Sequence, residues 1–179
     1  LEMPDYLESN ALEADIPLPS FYWDADTEMH CVADAVTLLR RHASNHHIQR
    51  LMITGNFALL AGIDPRQVND WYFLAFVDAY EWVVTPNVLG LALYADGGRF
   101  ATKPYAASAN YINKMSNCCK GCAYDPKTAD REDSCPFNSL YWDFLDRNAA
   151  TMPRTALRYA IEHLPSDARD YYLSRKKIQ

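Results

Sequence analysis

Five cysteines, Cys31, Cys118, Cys119, Cys122 and Cys135, are the side chains of this 179-residue sequence best suited to chemistry. An odd count argues against a disulfide framework and for metal or redox work. Cys119-Lys-Gly-Cys122 is a C-x-x-C turn with a glycine inside, which lets two thiolates converge while backbone N–H groups face the sulfurs. Cys135 follows after twelve intervening residues with Pro136 behind it, similar to the Cys-Pro that closes many cluster-binding runs. A fourth ligand would come from Cys31 or Cys118; Cys118 adjoins Cys119 and its side chain is expected to diverge, which favours Cys31. Three chemistries fit: inert buried thiols, a structural zinc, or an iron–sulfur cluster, the last favoured by spacing and the Cys-Pro pair.

Aromatic and basic residues add a second set. Phe21-Tyr22-Trp23 and Trp71-Tyr72-Phe73 read either as core packing or as an electron path, because Trp and Tyr can give an electron to an excited acceptor. The pair His46-His47 suits general acid work near neutral pH or an ordinary solvated helix end. Lys103, Lys114 and Lys120 share a stretch with Tyr105 and Tyr111, a weak signature of a surface that contacts a nucleic-acid backbone.

The elements that must hold these groups read as helices around one core. Thr27 to His42 has apolar residues at spacings of three and four, with Asp26 as its expected N-cap. A second helix is expected over Asn45 to Ala61, with Ile48, Leu51, Met52 and Leu59 inward and Gly62 as its stop. A third starts at Asp64-Pro65 and is expected to run to about Val83. Pro86 then breaks the pattern, leaving Asn87 to Thr102 as a long loop with room for a short helix. Lys103 to Ser116, Asn138 to Asn148, Pro153 to His163 and Ala168 to Lys176 can be helical, and Asn117 to Pro136 cannot. The fold class is all-α: residues 1–25, with Pro4, Pro17 and Pro19, form an irregular opening segment, and residues 26–179 form the helical domain.

Composition agrees with a globular chain: 49% apolar and 22% charged. The longest apolar windows are interrupted by Gly55, Asp78 or Glu81, so no membrane span is expected. The net charge of -6 is uneven, because the first thirty residues hold eight acids and no Lys or Arg, leaving residues 31–179 at +2. A low overall pI therefore does not exclude a nucleic-acid partner. No initiator Met or signal peptide is present, which fits a piece of a longer protein of the cytoplasm.

Taken together, His46 to Phe57 (HHIQRLMITGNF), Asp78-Ala79-Tyr80-Glu81-Trp82, Tyr94-Ala95-Asp96-Gly97-Gly98, Thr102-Lys103-Pro104-Tyr105-Ala106 and Cys119-Lys-Gly-Cys122 resemble the bacterial iron–sulfur branch of the cryptochrome and photolyase superfamily, whose repairing members are prokaryotic (6-4) photolyases. The resemblance runs from about Trp23 to Asp146 and corresponds to the C-terminal half of the family's helical catalytic domain. It implies Cys31, Cys119, Cys122 and Cys135 as ligands of a [4Fe-4S] cluster, with Cys118 a bystander, and a bound FAD. It places Arg50 and Asp78 as an ion pair beside the flavin ring, with His47, Tyr80 and Val84 bordering the same site. Tyr72, Trp71 and Trp23 match the chain for light-driven flavin reduction. His46 and His47 match the histidines of the lesion pocket, and Tyr105 with Lys103 the side that faces UV-damaged DNA. The family uses further upstream helices for FAD and an antenna chromophore in a preceding domain. Val84 departs from the family pattern, which carries glutamate there; this makes a blue-light photoreceptor with a signalling partner a competitor to repair. A non-catalytic iron–sulfur module that binds nucleic acid, as in the primase large subunit, is the alternative of another class.

Overall fold

A computed structural model describes residues 3–150, and the two helices expected over Pro153–His163 and Ala168–Lys176 lie outside the described residues. Seven α-helical pieces follow one another: α1 (Phe21–Asp24), α2 (His30–His42), α3 (Asn56–Ala61), α4 (Pro65–Ala75), α5 (Glu81–Thr85), α6 (Ala109–Met115) and α7 (Pro136–Arg147). Two π-helical stretches, Gln49–Gly55 and Pro86–Ala92, lead into α3 and continue α5. No strand is present among the described residues, so the all-α class holds.

The core joins the apolar face of α2 (Val32, Ala35, Val36, Leu39), which packs on α1 and the Gln49–Gly55 stretch, to α3, which packs on α7 with its buried Phe137, Phe144 and Leu145. Trp71, Tyr22 and Phe137 are the large rings at its centre; burying each stabilises the fold by roughly 2–3 kcal/mol. The opening segment is stitched to this body. Ile16 donates to the Gly62 carbonyl and accepts from Asp64, and Ala11 donates to Ala95.

Several boundaries differ from the sequence expectation, each for a local reason. Helix α2 begins at His30 rather than Thr27, and Asp26 does not cap it: the Asp24 carboxylate accepts from Asp26 N–H and Thr27 Oγ1 accepts from Met29 N–H, holding the acidic run in turns. The second helix starts two residues late, at His47, and takes a π register from Gln49, leaving Ile48, Leu51 and Met52 only half-buried while Leu59 is inward as expected. Gly62 does stop α3, in the left-handed region at φ 72°. Asp64 caps α4 through Arg66 N–H, but the helix ends at Ala75 instead of Val83. There Val77 N–H turns away to the Ala43 carbonyl. Pro86 does not stop the helix: it keeps helical backbone angles, φ -67° and ψ -30°, at the point where α5 passes into the π register of Pro86–Ala92. The expected helices over 103–116 and 138–148 form as α6 and α7, and 117–136 contributes only the 3₁₀ turn Cys118–Gly121.

Candidate functional site

One group of side chains gathers where the chain leaves α2. The π register widens the helix at Gln49–Gly55, and the Arg50 carbonyl accepts from two hydroxyls, Thr54 Oγ1 at 2.9 Å and Tyr72 Oη at 2.7 Å. The Arg50 side chain is held on three sides. Its Nη2 meets Asp78 Oδ2 at 2.9 Å, its Nε donates to the Asn45 carbonyl at 3.0 Å, and its guanidinium carbon lies 4.2 Å above the Phe76 ring. Asp78 is carried by the break between α4 and α5, so the early end of α4 is what brings the acid to the base. Tyr80, 63% exposed, donates its N–H to the Asp78 carbonyl and accepts at its own carbonyl from the N–H of Val84, which is buried on α5.

From Tyr72 an aromatic row runs inward. Tyr72 and Trp71 meet edge to face at 5.0 Å, and Trp71 meets Tyr22 the same way at 4.9 Å, its indole N–H donating to the Tyr22 carbonyl at 3.0 Å. Trp71 is fully buried, whereas Trp23, next to Tyr22 in the chain, is half-exposed. Tyr22 was not singled out for a role by the sequence; its neighbourhood to Trp23 in an aromatic triplet was the available signal. Burial pushes the Tyr22 phenol well up, and pushes Tyr72 up to about 12 against the opposing pull of Thr54 and Arg50.

His46 and His47 are exposed at the start of the Gln49–Gly55 stretch; the His46 carbonyl accepts from Gln49 and Arg50, and its Nδ1 accepts from Ile48 N–H. Lys103 and Tyr105 lie on the exposed loop between the Pro86–Ala92 stretch and α6. That loop is anchored by Asp96, a buried carboxylate that accepts from the N–H groups of Gly98, Arg99 and Phe100 and from Tyr6 Oη at 3.1 Å.

A second group forms at the other end of α2. Cys31, Cys118, Cys119, Cys122 and Cys135 all line one pocket of about 300 Å³, counted to its open mouth, whose other walls are Met29, Ala109, Ile112 and Tyr124. Cys31 and Cys135 are buried and the other three half-buried. The expectation that Cys118 diverges is corrected: the 3₁₀ turn winds tightly enough for both neighbouring thiols to reach the wall. Burial, then the neighbouring thiols Cys135, Cys118, Cys119 and Cys122, pushes the Cys31 thiol well up, and burial pushes Cys135 up to about 11. Among the described residues no three or more His, Cys, Asp or Glu side chains close to the spacing of a single metal ion. The donor set is all thiol with no carboxylate on the wall, the soft chemistry that suits zinc or iron–sulfur centres.

No helix among the described residues is long and apolar enough to cross a membrane. No family model matches the chain. It is 59% identical over 145 residues to a (6-4) photolyase of Agrobacterium fabrum, an alignment covering 81% of this chain and 29% of that protein, so the chain spans less than a third of this relative's length. It is also 38% identical over 97 residues to an uncharacterized protein of Acanthamoeba polyphaga mimivirus, covering 54% of this chain and 72% of that protein. Helical architecture, the motifs around Arg50, Asp78 and the cysteines, and this identity agree: the chain belongs to the bacterial photolyase and cryptochrome family, within its C-terminal helical domain.

Proposed function

We propose that this chain is the part of a blue-light-driven (6-4) photolyase that borders the FAD ring, an electron passing from photoexcited reduced FAD to (6-4) lesions in UV-damaged DNA, with residues 26–179 forming an FAD and [4Fe-4S] domain behind the opening segment 1–25. The observation that carries the reading is the Arg50–Asp78 ion pair, whose arginine carbonyl accepts the hydroxyl of Tyr72 at the head of a buried aromatic row, in a chain 59% identical to a (6-4) photolyase. FAD, when bound, supplies the light absorption and the electron that reaches the lesion.

The remaining work falls to the chain's own residues. Arg50 is a fixed cation: Asp78, the Asn45 carbonyl and the Phe76 ring immobilise it, so its charge can sit at the edge of a flat heteroaromatic ring without a reorganisation cost. His47, Tyr80 and Val84 border that ring. Trp23, whose half-exposed indole can be re-reduced by solutes, feeds electrons through Trp71 and Tyr72 toward the flavin site. His46 and His47 are exposed, and an imidazole can take up a proton and give it back, so they can supply the proton that adduct rearrangement needs. Tyr105 and Lys103 face the DNA backbone and lesion from the anchored loop. Cys31, Cys119, Cys122 and Cys135 would hold the cluster, and a wall of thiols and apolar side chains without a carboxylate suits its soft chemistry.

A second reading is a photoreceptor of the same family acting through a signalling partner. Val84 favours it, because a buried apolar side chain there offers neither acid nor amide to tune charge near the flavin. The test is to illuminate the full-length protein with an oligonucleotide bearing a (6-4) lesion. Blue-light-dependent disappearance of the lesion is expected; intact lesions beside a photoreducible flavin would replace repair with sensing.

A further inference from the structure

Five thiols line a pocket whose occupant, on the reading proposed above, takes four. Cys119 and Cys122 stand three apart in the turn Cys118–Gly121 and its cap, where side chains at i and i+3 eclipse, so they share one face. Cys118 opens the same turn a third of a revolution away and still lines the wall. Its backbone is pinned there: His30 Nδ1 donates to the Cys118 carbonyl at 2.8 Å, and Cys118 N–H donates to Ser116 Oγ at 3.3 Å. His30 is the residue before Cys31, so this bond fastens Cys118 directly to the helix end that carries the buried ligand.

We propose that Cys118 is a reserve ligand that takes the place of Cys119 on the cluster when Cys119 is released or lost. The exchange is a substitution with no net redox change. The Cys118 thiol gives its proton to water and its sulfur bonds the iron; the iron bond to Cys119 breaks, and that thiolate takes up a proton. Cys119 is the ligand next to Cys118 in the chain, so a small rotation of the turn can trade one sulfur for the other, whereas Cys31 and Cys135 sit buried on other elements and Cys122 lies beyond the turn as its cap.

The inference rests on the cluster reading, and the experiment separates the two. Iron, acid-labile sulfide and the visible absorption of the cluster are measured in full-length wild type and in Cys119→Ala, Cys122→Ala and Cys118→Ala/Cys119→Ala, and the folded proteins are alkylated with iodoacetamide and mapped by peptide mass spectrometry. Wild type should carry iron and sulfide and be alkylated at Cys118. Cys119→Ala should keep most of its iron and lose alkylation at Cys118, while Cys122→Ala and the double variant lose nearly all their iron. Cys119→Ala as iron-poor as Cys122→Ala, or iron-replete with Cys118 still alkylated, overturns the reserve role. A wild type without iron and sulfide overturns the cluster reading and the reserve role with it. Should Cys119→Ala fail to fold, Cys118→Ala is challenged with a chelator: faster iron loss than wild type supports the proposal, and equal rates overturn it.

Discussion

Trp71 has almost no freedom to be anything but tryptophan in place. Its indole N–H is committed to the Tyr22 carbonyl, and its ring meets Tyr72, Tyr22 and Phe76 edge to face. Trp71→Phe keeps most of the packing but removes the easily oxidised ring, so the expected outcome is a folded protein that has lost most of its light-driven flavin reduction, read by bleaching of the flavin bands under blue light with a reductant. Asp78 gives the complementary case. Its carboxylate is about half exposed, so the ion pair itself stabilises the fold by no more than about 1 kcal/mol. Asp78→Asn should therefore leave the melting temperature nearly unchanged while lowering the flavin retained per protein, measured by absorbance after gel filtration. A large drop in melting temperature would mean that the pair serves folding instead.

At the level of elements, the two π stretches cross where Gly55 meets Ala92, a Cβ at Gly55 lying 3.0 Å from the Arg50 carbonyl and 3.1 Å from Ala92 Cβ. Gly90, in the second stretch, is tighter: a Cβ there would stand 2.6 Å from Phe100 Cβ and 2.9 Å from both Asp96 Oδ2 and Tyr6 Oη. Gly90→Ala pushes the anchored loop off its carboxylate, at an expected destabilisation of roughly 1–3 kcal/mol in denaturant titration, with faster proteolysis in the loop after Asp96. None of this crossing was legible in the sequence. Apolar spacing located α2 and α3, and Asp64-Pro65 and Gly62 marked the start of α4 and the end of α3, because those signals are local. The π register and the end of α4 at Ala75 are set by distant partners, the Tyr72 hydroxyl on the Arg50 carbonyl and Ala43 on Val77. The meeting of Arg50 with Asp78, twenty-eight positions apart, came only through family resemblance. The cysteine spacing pointed to a shared centre, yet adjacency in sequence hid that Cys118 lines the same wall.

For the molecule as a whole, buried phenols set an alkaline limit. Burial pushes Tyr6, Tyr72 and Tyr141 up to about 12 from the usual value near 10. A phenol raised on folding is protonated in both states below about pH 10, so its contribution is intact there; above that, the unfolded chain loses protons first, and stability falls as pH rises toward about 12. Unfolding between those values, followed together by tyrosinate absorbance and far-UV circular dichroism, is the expected result, and release of all tyrosines at pH 10 without unfolding would contradict it. The same whole-molecule view gives α2 a mechanical meaning. Its thirteen residues span about 20 Å, with the thiol wall at the N-terminal tip and the guanidinium just past the other tip. It is a spacer rod: whatever grips one tip sets the aim of the other, and a loosened grip would be felt as misalignment long before any bond near Arg50 is broken.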